Sequence, residues 1–151
     1  MPAAERRAHV VWEGDLTKGK GTLEVGTGVV SNQPVSWAAR VERPDGKTSP
    51  EELLAAAQAA CYAMALSHTL NQKGTPPDRL DVTAVATADF VGGGLKVTRM
   101  DIEVRGWVRG VDSAQFQQIA NEAEKGCPIA NAIRGNVDIS VKAQLEGSLR
   151  Q

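Results

Sequence analysis

Between residues 53 and 66 the chain is built mainly of alanine, leucine and methionine, and wound as a helix this run is apolar on nearly every face. These residue types are strong helix formers. Three agreeing signals in Ser49-Pro50-Glu51-Glu52 mark where the helix begins. Ser49 can cap the first free amides, Pro50 suits the first helical position, and Glu52 completes a capping box. Gly74 and Pro76-Pro77 end it. A helix with almost no polar face must be enclosed on almost every side. With no other long helix in a chain of 151 residues, a second copy is expected to supply part of that enclosure.

The first forty residues read as strands punctuated by glycine. Residues 9–13 are β-rich, 18–21 form a turn, and strands follow at 22–25, 29–30 and 35–41. Pro44-Asp45-Gly46 is a turn. Beyond the long helix, residues 81–91 and 95–108 flank Gly92-Gly93-Gly94 as a hairpin of two long strands. Asp112-Ser113 opens a second helix with Phe116, Ile119, Ala120 and Ala123 on one stripe. Gly126 ends it, and Cys127-Pro128 starts a third, short helix to about residue 133. Val137, Ile139, Val141, Ala143 and Leu145 then alternate with polar residues, as in a strand with one buried face. The pattern predicts a single α+β domain over residues 1–151, with no repeat or low-complexity segment.

A formal net charge of −1 with no run of like charge gives no phosphate-neutralising surface, so nucleic acid is not an expected partner. Residues 1–9 are short and polar, without the apolar stretch of a secretory signal. The apolar stretch 53–70 is interrupted by Gln58, Cys61, Ser67 and His68, and reads as a buried helix rather than a membrane span. A cytoplasmic protein with no membrane partner is expected. Two cysteines, Cys61 and Cys127, are too few for a disulfide framework. In a reducing compartment such a pair is either inert or redox-active.

Cys61 falls in the middle of the apolar helix, where a free cysteine commonly serves as a small hydrophobe and burial raises the thiol pKa. A reactive Cys61 needs a nearby cation to offset this. Cys127 sits at a helix N-cap beside Lys125 and after Gly126, where amide dipoles favour an anionic sulfur. Local electrostatics alone therefore rank Cys127 as the attacking thiol, and packing alone leaves both inert. His9 and His68 show no ligand spacing with the cysteines, so no metal is expected. Gly92-Gly93-Gly94 lacks the context of a nucleotide loop, and no GxSxG elbow is present.

Three groups of residues carry a family resemblance. They are Trp12-Glu13-Gly14-Asp15 with Gly19-Lys20-Gly21-Thr22, the run from Ser49-Pro50-Glu51-Glu52 to Ala59-Ala60-Cys61, and Ala123-Glu124-Lys125-Gly126-Cys127-Pro128-Ile129. In these the chain resembles the OsmC (osmotically inducible protein C) branch of the OsmC/Ohr organic hydroperoxide resistance peroxidases. One departure is Gln58, where many relatives carry histidine. The resemblance implies an intertwined homodimer, with a long buried central helix wrapped by antiparallel β-sheets. It implies a thiol peroxidase of oxidative and osmotic stress defence, in which Cys61 attacks the hydroperoxide, becomes a sulfenic acid and is captured by Cys127 as a disulfide. The family's arginine falls on Arg40, with Arg43 as a nearby competitor, and its glutamate on Glu51. The implied reductant is a dithiol, including lipoylated proteins, and no bound cofactor is implied.

The chemistry gives each of these groups a reason. Thiolate and departing alkoxide are both negative, and a guanidinium stabilises both while staying charged. Glu51 would orient and neutralise that guanidinium. Met64, Leu54 and Ile129 would suit a bulky organic peroxide better than hydrogen peroxide. Glu51 and Cys61 are ten residues apart on one helix, about 15 Å along its axis. An Arg40–Glu51 pair is therefore expected to reach Cys61 from a partner chain, giving two composite sites per dimer. Two other functions fit the same residues: a general thiol–disulfide oxidoreductase, and a dimeric module that binds a hydrophobic ligand with both cysteines structural.

Overall fold

Aspartate and glycine near the N-terminus fold the chain back on itself. Asp15 accepts from the Lys18 amide at 2.7 Å through its side chain and from the Gly19 amide at 2.9 Å through its carbonyl. This turn joins β1 (Ala8–Glu13) to β2 (Lys20–Val25), and β3 (Gln33–Val35) completes an antiparallel sheet in the order β1-β2-β3. The turn thus ends before Lys20, and the Lys20-Gly21 pair belongs to the strand. Gly21 pairs with Trp12 and Val35, and a Cβ on it would lie 2.8 Å from each of their side chains. The computed structural model describes residues 1–147 and divides into two compact units, Met1–Leu53 and Leu54 onward.

Two expected strands are absent from the first unit. Val29 and Val30 lie in the loop between β2 and β3, where Gly28 takes a φ of +81°. Residues 35–41 are mostly helical instead of extended, forming α1 (Trp37–Val41). Ser36 decides this, because its hydroxyl accepts from the Ala39 amide at 3.1 Å and satisfies one of the free N–H groups of the first turn. The two alanines then outweigh the β-preference of the flanking valines.

The long helix, α2 (Pro50–Gln72), begins where the sequence places it, with Ser49 Oγ accepting from the Glu52 amide at 3.1 Å. By length and composition α2 could cross a bilayer, its mean hydropathy reaching 1.3. Its buried residues nevertheless form one stripe at intervals of four, Gln58, Tyr62, Leu66 and Leu70. Ala56, Ala57, Ala60 and Met64 are exposed in the single chain.

In the second unit β4 (Pro77–Val91) and β5 (Gly94–Val108) form the expected hairpin. Gly92 and Gly93 have φ of 59° and 84°, the conformation of the tight turn that suits strand twist. Helices α3 (Ser113–Lys125) and α4 (Pro128–Ile133) lead to β6 (Asp138–Gly147). Asp112 and Gln115 close a reciprocal cap at the start of α3. The sheet order is β4-β5-β6, and β6 runs parallel to β5, so this sheet is mixed rather than antiparallel. Two intervening helices carry the chain back to the end where β5 began, which permits the parallel pairing. Gln117 of α3 fastens β6, its side-chain oxygen accepting from the Ala143 amide at 2.9 Å.

The core of this unit includes Tyr62, Leu66 and Leu70 of α2, Met100, Ile102 and Val104 of β5, and Phe116 of α3. Phe116 lies over Gly106, where an added Cβ would come within 2.3 Å of the ring. Gly106→Ala therefore displaces the ring and is expected to destabilise the protein by about 1–3 kcal/mol. Urea unfolding measures this, and an unchanged midpoint would mean that the ring moves freely.

Candidate functional site

Cys61 is on α2, and Cys127 is the residue that caps α4, 66 positions away in sequence. The fold brings them together. The Cys127 thiol donates toward Cys61 Sγ across 3.2 Å, and a disulfide needs the sulfurs to close to about 2.05 Å. Both cysteines are free in this structure. Cys127 is fully buried, whereas Cys61 is only partly so. Of the two, Cys61 is the one a small molecule from solvent can touch.

Burial pushes the Cys61 thiol up from its ordinary pKa. The Ile129 amide on α4, which donates to the sulfur, pulls it down, and neighbouring Cys127 raises it again. The upward causes win within this chain. Leu54 and Ile129 are partly buried, like Cys61, and all three pack against the same core. Met64, expected beside them, is 68% exposed.

Three side chains that sequence reasoning did not assign frame the pair. Gln58 is fully buried and donates from Nε2 to Cys127 Sγ at 3.3 Å. Tyr62 is buried and donates to the Ala120 carbonyl at 2.8 Å, and burial followed by the charge of Glu124 raises its phenol pKa. Glu124, almost buried at the end of α3, is bonded to Arg134, whose guanidinium also donates to the Glu124 carbonyl at 3.2 Å and to Asn131 at 2.8 Å. Arg134 thereby ties α4 to the end of α3 across the turn that carries Cys127. The available signal was polarity in an apolar helix: Gln58 and Tyr62 interrupt the stripe that also holds Leu66 and Leu70.

In the first unit, Arg40 and Glu51 make the pair the sequence anticipates. Arg40 Nε donates to both carboxylate oxygens, at 2.9 and 3.1 Å, and Nη2 approaches Oε1 at 2.7 Å. Arg40 is in the last turn of α1 rather than at a strand end, and Trp37 of the same helix lies 5.9 Å from its guanidinium. Arg43, the competitor, is exposed. Glu51 stands in the first turn of α2, where a carboxylate is favoured by the helix dipole. An apolar groove of about 280 Å³ opens beside Arg40, lined by Trp12, Leu16, Val35, Trp37 and Leu53.

The profile described as "OsmC: OsmC-like protein" matches residues 43–142. Peroxiredoxin OsmC of Escherichia coli K12 is 36% identical over 134 residues, covering 89% of this chain and 93% of that protein. The organic hydroperoxide resistance protein OhrB of Bacillus subtilis is 30% identical, covering 81% of this chain and 88% of that protein. The crystal structure of that OhrB superposes with a TM-score of 0.73 at 25% identity, over 91% of this chain and 98% of that one. An OsmC structure from Legionella pneumophila, 23% identical, shares the fold with a TM-score of 0.74 over 95% of this chain and 99% of its own.

Proposed function

Because the chain belongs to the OsmC family, we propose that it is a thiol peroxidase that reduces organic hydroperoxides to alcohols in oxidative-stress defence. The observation that carries this reading is the 3.2 Å approach of Cys61 and Cys127, from separate helices, with only Cys61 accessible. The Cys61 thiolate attacks one peroxide oxygen, the O–O bond breaks, and the alkoxide leaves as the alcohol after taking a proton. Cys61 becomes a sulfenic acid. Cys127 then attacks its sulfur, forms the disulfide and releases water. A dithiol, such as a lipoylated protein in the cytoplasm, restores both thiols by exchange.

The thiolate needs a cation, because burial within the chain pushes the Cys61 thiol up. Arg40, oriented by Glu51, is suited to supply it. We assign that role to the Arg40–Glu51 pair of a second copy, in a homodimer with two composite sites. Support comes from the exposed Ala56, Ala57, Ala60 and Met64 of α2, and from Val10, Val11 and Trp12 of β1, which are 40–51% exposed. Apolar surface of this extent is normally covered by a partner.

Mixing reduced protein with one equivalent of cumene hydroperoxide tests the assignment. Rapid consumption with loss of both free thiols per chain is expected. Intact thiols and unconsumed hydroperoxide would overturn it, and faster reaction with a protein disulfide would favour a thiol–disulfide oxidoreductase.

A further inference from the structure

Gln58 stands three residues before Cys61, on the buried stripe of α2, and no part of it reaches solvent. Its Nε2 donates to Cys127 Sγ at 3.3 Å, while its Oε1 finds no hydrogen-bond partner among the described residues. A half-satisfied amide in a core destabilises the fold. Methionine or leucine, of similar volume, would fill the same space without that cost. Packing therefore does not account for glutamine here, and its single bond, to a sulfur, is what distinguishes it.

That bond fixes the direction of the neighbouring thiol. Cys127 makes no side-chain cap bond to α4. Its sulfur accepts from Gln58 and its S–H faces Cys61 at 3.2 Å. Tyr62 is committed to the Ala120 carbonyl, and Glu124 to Arg134. Among the described residues, Gln58 is thus the side chain that donates to the Cys127 sulfur.

We propose that Gln58 is a positioning residue for disulfide formation, holding the Cys127 sulfur and stabilising it as a thiolate while it attacks Cys61. The assignment rests on the reading that Cys61 is oxidised first. In this step Cys127 loses its proton and its sulfur attacks the Cys61 sulfenic sulfur. The S–S bond forms, the S–O bond breaks, and hydroxide leaves with that proton as water. Cys127 is oxidised, the Cys61 sulfur is reduced, and no further oxidant enters. A hydrogen bond to a thiolate is stronger than one to a thiol, so Gln58 favours the state that reacts.

The test separates the two chemical steps in Gln58→Met, Gln58→Leu and Gln58→His proteins. Each receives one equivalent of cumene hydroperoxide, and hydroperoxide loss and disulfide formation are followed separately. In Gln58→Met and Gln58→Leu, disulfide formation is expected to slow about tenfold or more while melting temperature holds or rises. Gln58→His keeps an N–H donor and is expected to recover most of the rate. A second arm replaces the hydroperoxide with diamide, which adds to the Cys61 thiolate and is displaced as the hydrazine when Cys127 closes the disulfide. The same ranking is expected there. Native protein that closes the disulfide with diamide but ignores hydroperoxide would end the peroxidase reading and leave Gln58 to be judged on the diamide arm. Disulfide closure at the native rate in both apolar variants, or no recovery with histidine, would overturn the proposal.

Discussion

Cys61→Ser loses hydroperoxide reduction by at least about a thousandfold, whereas Cys127→Ser keeps a single turnover and stops there. A serine hydroxyl is not ionised near neutral pH and cannot open the O–O bond at a comparable rate. Cys127 is fully buried, so it does not substitute for the missing thiol. In Cys127→Ser the Cys61 sulfenic acid has no partner at 3.2 Å to capture it. It accumulates, and with excess peroxide it proceeds to the sulfinic acid. Intact mass reads both outcomes after one and after several equivalents of cumene hydroperoxide. Oxidation of Cys61→Ser at Cys127 would reverse the two roles, as the local electrostatics of the helix N-cap would have it.

Arg40→Met carries the second large effect. Burial raises the Cys61 thiol within its own chain, and the Ile129 amide offsets only part of that. A cation within about 4–6 Å lowers an acid's pKa by roughly 1–3 units, so its removal raises the thiol by the same amount. The sign follows directly. A higher pKa means less thiolate at neutral pH, so the midpoint of pH-dependent alkylation of Cys61 by iodoacetamide moves up by about 1–3 units. Hydroperoxide reduction at neutral pH falls with it, roughly tenfold per unit. Glu51→Gln should move the midpoint in the same direction by less, since it loosens the guanidinium without removing it. An alkylation midpoint that stays fixed in Arg40→Met would show that the arginine does not act on the sulfur.

Much of this was legible in the sequence because it depends on local signals. Ser49-Pro50 started α2, glycines 92 and 93 made the hairpin turn, and Asp112 capped α3, each through chemistry confined to a few residues. The Arg40–Glu51 pair could be named from a resemblance, and Arg40 does reach both oxygens of Glu51. What failed was decided by competition or by distance. The 35–41 segment looked extended because valine and tryptophan favour strands, and one serine hydroxyl bonded to Ala39 turned it into α1. The parallel placement of β6 depends on where two helices deliver the chain, which alternation of polar and apolar residues does not encode. Gln58 stood out in the sequence only as a departure from the family pattern, because its partner is 69 positions away. The apolar girdle of α2 pointed to enclosure, yet the single chain buries one stripe and leaves the alanine face open.

That open face bears on the central claim, that each site is completed by a second copy of the chain. Mixing Cys61→Ser and Arg40→Met proteins under conditions that let subunits exchange tests it most directly. Cys61→Ser is inactive alone, and Arg40→Met keeps at most about a tenth of native activity at neutral pH. In a mixed dimer, one site would combine the native Cys61 of one chain with the native Arg40 of the other. Random exchange should restore about one quarter of native hydroperoxide reduction if the arginine acts across the dimer. No activity above the two separate proteins would contradict the composite site and return Arg40 to its own chain.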